Sequence, residues 1–520
     1  MIPTQRFFPV LIMLCFGAMT YSQGPALVRF DDLVFNSDFE KEAFTNPQNN
    51  LQEYLSLFLA VSPSSDKVLL EKANQMIRLE TERINDKRFA KNSDEKKVKT
   101  VYESVNQDIL NTYKEKVLFP EIISAGNYNC LTSSAYYGFL FTNLGISFEF
   151  RESSSHVHPV AFPGSLQIKV ETTDPVFGFQ YFDSKLKIQF VSYLISSKII
   201  SKEEAGSSTV DNIFYKYYFP ATSIGMKELA GLQYLNDALY NYAKDNFVYA
   251  FRQIQKAYFL YPSDRIATVM LFLLSRCLTE TEYKTIEDAS FLVYASRFTG
   301  GDLNKDVFLN EYRSLTDKVL LQRSQTALYD QIFQYLMNSI EEGAVRQEVE
   351  VEYYIQKGNL LMNTYRVKEA LMSFEKGLAI TPENLELQII TIRCLSYSFG
   401  TASSQEIVNS IENFEQKFPE MHDNDTFIGL QMLGYLQLGE EKFDFEQPTE
   451  GEMYLKKFEN LCESHHGVSV QYEKVGDAYS AAAVYYFKRN NKSIARTYLN
   501  RGLAISPENY QLMYRLRALE

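Results

Sequence analysis

The segment Lys376–Asn384, KGLAITPEN, returns almost unchanged near the end of the chain as Arg501–Asn509, RGLAISPEN. Each copy closes a stretch whose apolar residues recur at helical spacing. Such a recurrence restricts the fold strongly, because a two-helix unit has no core of its own and must bury its apolar face against a neighbouring copy. In both copies small residues recur at fixed intervals along the two helical stretches, and a Pro follows the second. Tyr354, Gly358, Ala370, Phe374 and Pro382 fit that pattern, as do Tyr479, Ala483, Tyr486, Ala495, Leu499 and Pro507. A third copy carries Tyr234, Ala238, Ala250, Ala257 and Pro262. The stretches 264–345 and 385–465 read as more degenerate helix pairs, and no strand pattern survives after about Lys227.

These positions resemble the tetratricopeptide repeat. The resemblance implies an all-α solenoid over residues 223–520 whose stacked pairs form a groove suited to a protein or peptide ligand. The listed aromatic and small residues read as packing positions within it.

A chain of 520 residues exceeds what one core supports, so a second unit is expected upstream. Residues 30–123 carry helical patterns: Leu51, Tyr54, Leu55, Phe58 and Leu59 share one face, which reads as core. The charge-dense stretch Thr81–Thr100 reads as a solvated surface. Between Ala125 and Ser184 the period changes. After the turn signal 126–129, a helix is predicted over 131–143, stopping at Leu144-Gly145. Strands follow at 146–151, 156–162 and 166–173, with Pro163-Gly164 turning between the last two. A helix feeding an antiparallel sheet is an α+β arrangement.

The first residues read as a secretory signal over 1–22: Arg6, the apolar run Phe7–Ala18, then Thr20-Tyr21-Ser22 as a cleavage site. Cys15 follows Leu14 where lipoprotein processing wants a small residue, so lipidation is not expected. The apolar run Ile266–Leu274 has about half the length needed to span a bilayer. An exported protein, periplasmic or secreted, is the expectation. The net charge of −13 argues against nucleic acid as a partner. No phosphate-binding Gly loop occurs and no cofactor is expected. Cys277, Cys394 and Cys462 lie in helical patterns as small hydrophobes, far apart in sequence. Cys462, His465 and His466 have the composition of metal ligands, but adjacent His residues do not easily face one ion, and no metal site is expected.

Cys130 differs, standing between a turn and a helix start, where free backbone N–H groups and the helix dipole favour a thiolate. A cysteine nucleophile needs a base and a group to orient that base. His156 and His158 lie downstream in one predicted strand. A three-residue loop in the 156–173 hairpin sets Asp174 opposite His156, whereas a tight two-residue turn substitutes Glu171. His156 is the better base and His158 the alternative.

The runs NYNCLTSSAYYGFLFTNLGISFEF, HVHPVAF and VETTDP together resemble the Cys, His and Asp blocks of the transglutaminase-like branch of the papain-like cysteine hydrolases, over roughly Phe119 to Gly178. The later run MKELAGLQYLNDALYNYAKDNF resembles the junction joining such domains to tetratricopeptide repeats in bacterial proteins. The resemblance implies a transglutaminase-like domain over 24–222, with Cys130 as nucleophile, His156 as general base and acid, and Asp174 as orienting carboxylate. The chemistry implied is acyl transfer from an amide, as a cysteine peptidase or amidase. The chain has no Trp and carries Val157 where the family has an aromatic, which weighs against cross-linking more than against hydrolysis. Beside the Cys130 amide, the Asn127 and Asn129 side chains are the remaining oxyanion candidates. Pro159 suggests an edge strand. Two expectations result: a cysteine hydrolase assisted by a repeat solenoid, or a non-enzymatic interaction scaffold with a degenerate transglutaminase-like domain.

Overall fold

A computed structural model of the protein describes residues 27–46, 50–152, 156–166, 168–172, 184–196, 200–210, 213–214, 217, 222–299, 303–400 and 402–519. Residues 1–22, read above as a secretory signal, and Asp174 lie outside them. The chain forms two compact units, Met1–Ile340 and Glu341–Glu520. The first has small β-sheets amid helices, and the second is built from helices that pack pairwise.

In the first unit, helices Asp38–Thr45, Leu51–Leu59, Lys67–Ile84 and Asp94–Asp108 each begin at a side-chain cap. Ser37, Asn50, Asp66 and Ser93 accept hydrogen bonds from the amides of Glu40, Glu53, Leu69 and Lys96. Leu55, Phe58 and Leu59 are buried, as their shared face requires. Phe58, Phe119 and Phe139 meet with ring centroids 5.4 to 5.7 Å apart and form the centre of this core.

Two short strands, β1 (Thr112–Tyr113) and β2 (Asn127–Tyr128), pair in parallel ahead of the helix Cys130–Asn143. That helix is buried from Cys130 to Phe141, so its hydroxyls must bond inward. Ser133 Oγ donates to the Asn129 carbonyl at 2.7 Å, and Ser134 Oγ to that of Val157 at 3.2 Å. Gly145 ends the run in the left-handed region at φ 65°.

The strands β3 (Phe148–Glu152), β4 (Val157–Ala161), β5 (Ile168–Lys169) and β6 (Thr222–Ile224) then form an antiparallel sheet ordered β5-β4-β3-β6. The β4–β5 connection turns at Phe162 (φ 52°), where the Ser165 amide donates to the Phe162 carbonyl at 3.0 Å. Pro159 corrects the edge-strand expectation, because β4 lies between β3 and β5. In an antiparallel strand a residue's N–H and C=O face the same neighbour. The Pro159 carbonyl accepts from the Val170 amide at 2.9 Å, so its missing N–H faces the β5 side, where the ladder pairs only Ile168 and Lys169.

The helix pair Met226–Tyr242 and Phe247–Leu260, the first of the sequence repeats, belongs to this same unit. Gln233 links it to the mixed core: its Nε2 donates to the Phe58 carbonyl and its Oε1 accepts from the Phe119 amide, both at 2.8 Å. Lys256 of the same pair meets Glu40 at 2.7 Å with both side chains fully buried.

In the second unit, Ala344–Asn363 packs on Val367–Ile380, Asp425–Asp444 on Pro448–Ser464, and Tyr472–Lys488 on Lys492–Ile505. Each of these pairs, like the 226–260 pair, turns in the same way. The residue before the second helix's N-cap stands at positive φ: Asp245 at 60°, Tyr365 at 60°, Glu446 at 61° and Asn490 at 60°. The N-cap amide then reaches back five residues: Asn246 to Asn241 (3.0 Å), Arg366 to Leu361 (2.9 Å), Gln447 to Lys442 (2.7 Å) and Asn491 to Tyr486 (3.0 Å). The pair at 425–464, which the sequence marks only as degenerate, is therefore a full member of the series. Gly358 has the role its position predicts: a Cβ there would collide with the Phe374 ring.

Candidate active site

The start of the Cys130 helix is fixed by Asn129, whose Oδ1 accepts from the Thr132 amide at 3.0 Å while Thr132 Oγ1 accepts from the Asn129 amide at 2.9 Å. The Asn129 Nδ2 donates to the carbonyls of Glu115 and Val117, both at 3.2 Å. Its side chain is thus occupied in capping the helix and tethering the preceding loop. Asn129 is removed as an oxyanion donor. The cause is local: an Asn just before a helix satisfies orphan backbone groups more readily than it reaches into a cleft.

Cys130 opens the helix and is fully buried. Burial pushes its thiol well above the ordinary range, while the backbone amides of Val157, Leu131 and Cys130 itself pull the other way, and Glu171 adds to the rise. The amide groups that the sequence promises are present, and loss of water outweighs them. Burial pushes the Tyr240 hydroxyl, from the 226–242 helix near Cys130, well above its ordinary range, and that hydroxyl donates to the Glu115 carbonyl at 3.1 Å.

His156 is buried just before β4, with Nε2 2.6 Å from Glu171 Oε1. Burial lowers the His156 pKa, opposed by the Glu171 charge and hydrogen bond. Glu171 Oε2 lies 2.7 Å from Lys169 Nζ. Burial alone would raise the Glu171 pKa, but Lys169 and His156 more than offset it and hold the carboxyl below its usual value. His158, two residues along the strand, stacks on His156 at 5.6 Å between centroids. Its pKa falls to about 4 through burial, then through Lys169 and His156.

The Val160–Lys169 register, carried two residues further, sets Glu171 across from His158, and its carboxylate reaches diagonally to His156. Among the described residues, Glu171 is the carboxylate that meets the His156 ring. The structure therefore brings together His156, His158, Glu171 and Lys169 beside the helix that starts at Cys130. Sequence reasoning missed Lys169, although its place two residues before Glu171 puts both on one strand face. It also missed Tyr240, for which no local signal exists, since the contact joins distant parts of the chain.

Among the described residues, no cluster of three or more His, Cys, Asp or Glu is disposed to hold a metal ion. His466 Nδ1 lies 3.1 Å from the Cys462 carbonyl, and His465 Nδ1 lies 2.8 Å from Ser464 Oγ. The described residues contain no helix long and apolar enough to cross a membrane. No protein-family model matches the chain, and no curated protein matches it either.

Proposed function

We propose that the protein is an exported interaction scaffold. In this reading a transglutaminase-like α+β domain has lost its reactive centre to burial, and a tetratricopeptide-like array of helix pairs holds another polypeptide. The observation that carries it is the contrast between the fully buried Cys130 thiol and the recurring helix pairs with their shared turn. Stacked pairs of that kind offer side-chain surface along several helices at once, and their core does not need the ligand in order to fold.

A second reading is favoured by one observation, the 2.6 Å approach of His156 to Glu171 beside a cysteine at a helix start. In a cysteine amidase, His156 takes the Cys130 proton and the sulfur attacks the amide carbon. The C–N bond breaks as the imidazole returns that proton to the leaving amine, and water then hydrolyses the thioester. This chemistry requires the cover over the thiol to open.

Iodoacetamide labelling of the full chain, read by peptide mass, separates the two readings. The scaffold predicts that Cys130 is labelled only after denaturation. Labelling of native Cys130 that accelerates near neutral pH and is lost in His156→Ala would replace the scaffold with the hydrolase.

A further inference from the structure

Five second helices end in one conformation. Tyr261, Thr381, Phe418, His465 and Ser506 have φ between −136° and −128° and ψ between 68° and 79°. Each amide bonds four residues back, at 2.8 to 3.1 Å. Four of the five are followed by Pro262, Pro382, Pro419 and Pro507; the fifth is followed by His466. After Thr381 and after Ser506 the next helix begins within a four-residue linker, TPEN or SPEN. After His465 the linker runs to Gln471, HHGVSVQ, before the helix at Tyr472. The departure from the repeat coincides with a cavity of ≈ 1160 Å³ in the second unit, bounded by this linker, the helix ends around it and Tyr510.

The walls are apolar where the linker and the next helices face the cavity, at Val468, Val470, Tyr472 and Tyr510. Tyr472 and Tyr510 are 56% and 80% exposed, an unusual cost for two aromatic rings at one opening. The charge at this opening is unbalanced. Arg501 is spent on Glu452 at 3.0 Å and Glu459 at 2.8 Å. Glu463 and Glu508 are exposed, and among the described residues neither has an ion-pair partner. The chain as a whole carries −13, which adds to the field at this rim.

We infer that the His465–Gln471 linker opens a side groove that receives an extended segment of a partner protein presenting a Lys or Arg between apolar residues. The apolar residues cover Tyr472, Tyr510 and the two valines, and the cation meets Glu463 and Glu508. This deepens the scaffold reading and rests on it, by naming a site and a ligand chemistry.

The test uses the full chain and a fluorescein-labelled peptide, Gly-Val-Lys-Tyr-Lys-Val-Gly, followed by fluorescence anisotropy. The expected result is saturable binding, weaker by about tenfold or more for the same peptide with both lysines replaced by Glu. The double variant Glu463→Lys with Glu508→Lys should weaken binding of the lysine peptide to a similar degree. Tyr510→Ala, at a position 80% exposed, should also weaken it. Binding that ignores all three substitutions overturns the groove and leaves the scaffold reading standing, because the ligand then sits elsewhere on the chain. Equal affinity for the two peptides overturns the cation preference, and no binding of the lysine peptide overturns the site itself. Failure of the scaffold reading is seen separately, in native labelling of Cys130.

Discussion

The Cys130 region and the His465–Gln471 groove divide between them what a working site would combine. Around Cys130, the thiol and the His156 ring are buried, while the Glu171 carboxylate that meets the ring is partly exposed. At the groove there is access, exposed aromatic surface and unpaired carboxylate charge, together with a half-buried Cys462 whose thiol is pushed up to about 11 by burial. The same contrast holds more widely. Two charge groups differ in the same way: Lys256–Glu40 in the first unit is fully buried, whereas the Arg501–Glu452–Glu459 network in the second is partly in solvent. Burial makes a polar group an element of stability and removes it from solution chemistry. Exposure does the reverse.

The sharpest break of that contrast would come from native thiol reactivity. Cys462 should react with a small disulfide reagent about a thousandfold or more faster than Cys130, Cys277 or Cys394, which require unfolding to be reached. Comparable rates at Cys462 and Cys130 would erase the difference in access. Next in size, Lys256→Met leaves the buried Glu40 carboxylate without its ionic partner and should cost about 3–5 kcal/mol in urea unfolding. Arg501→Met, in the partly exposed network, should cost about 1 kcal/mol. Equal losses would show that burial does not set these two charge groups apart. Gly358→Val drives a side chain into Phe374 and should cost about 1–3 kcal/mol, checked by the same urea unfolding. A neutral result would mean the helix pair is looser than its turn geometry implies.

The smallest effect concerns acid. Both His156 and His158 have pKa values lowered in the fold, so the unfolded chain takes up their protons first as pH falls. Their contribution to stability is complete above the unfolded value near 6.5 and declines below it, levelling for His158 at about 4. Glu171, lowered in the fold, loses its contribution over the acidic range below its ordinary value of 4.5, in the same direction. A plot of thermal midpoint against pH should therefore slope downward toward acid between 6.5 and 4, and His158→Asn should flatten it. An unchanged slope in that variant would place the acid sensitivity elsewhere.

The residues that could be read ahead are those whose role depends on a local period or a local cap. Leu55, Phe58 and Leu59 repeat at helical intervals and are core, and Gly358 lies where two helices touch. Cys130 follows Asn129, and a capped helix begins there. Pro163-Gly164 marks a turn but leaves its loop length open, so the sequence admits several hairpin registers, and the Val160–Lys169 pairing is the one formed. Pro159 misled because a missing N–H rules out pairing on one side only, and which side that is depends on the neighbouring strand. Asn129 misled because its amide could serve a ligand or a loop, and the carbonyls of Glu115 and Val117 claim it.

By itself the sequence determined the alternation of periods along the chain: a mixed stretch around Cys130, then helix pairs that recur. Those features are carried by residues within a few positions of one another, where backbone sterics and capping act directly. Only the tertiary structure decided that the thiol is covered, that Glu171 reaches His156 across the strand, and that one linker departs from its siblings beside a cavity. Each of these depends on which distant surfaces exclude water from a given atom, and burial of that kind is a property of packing.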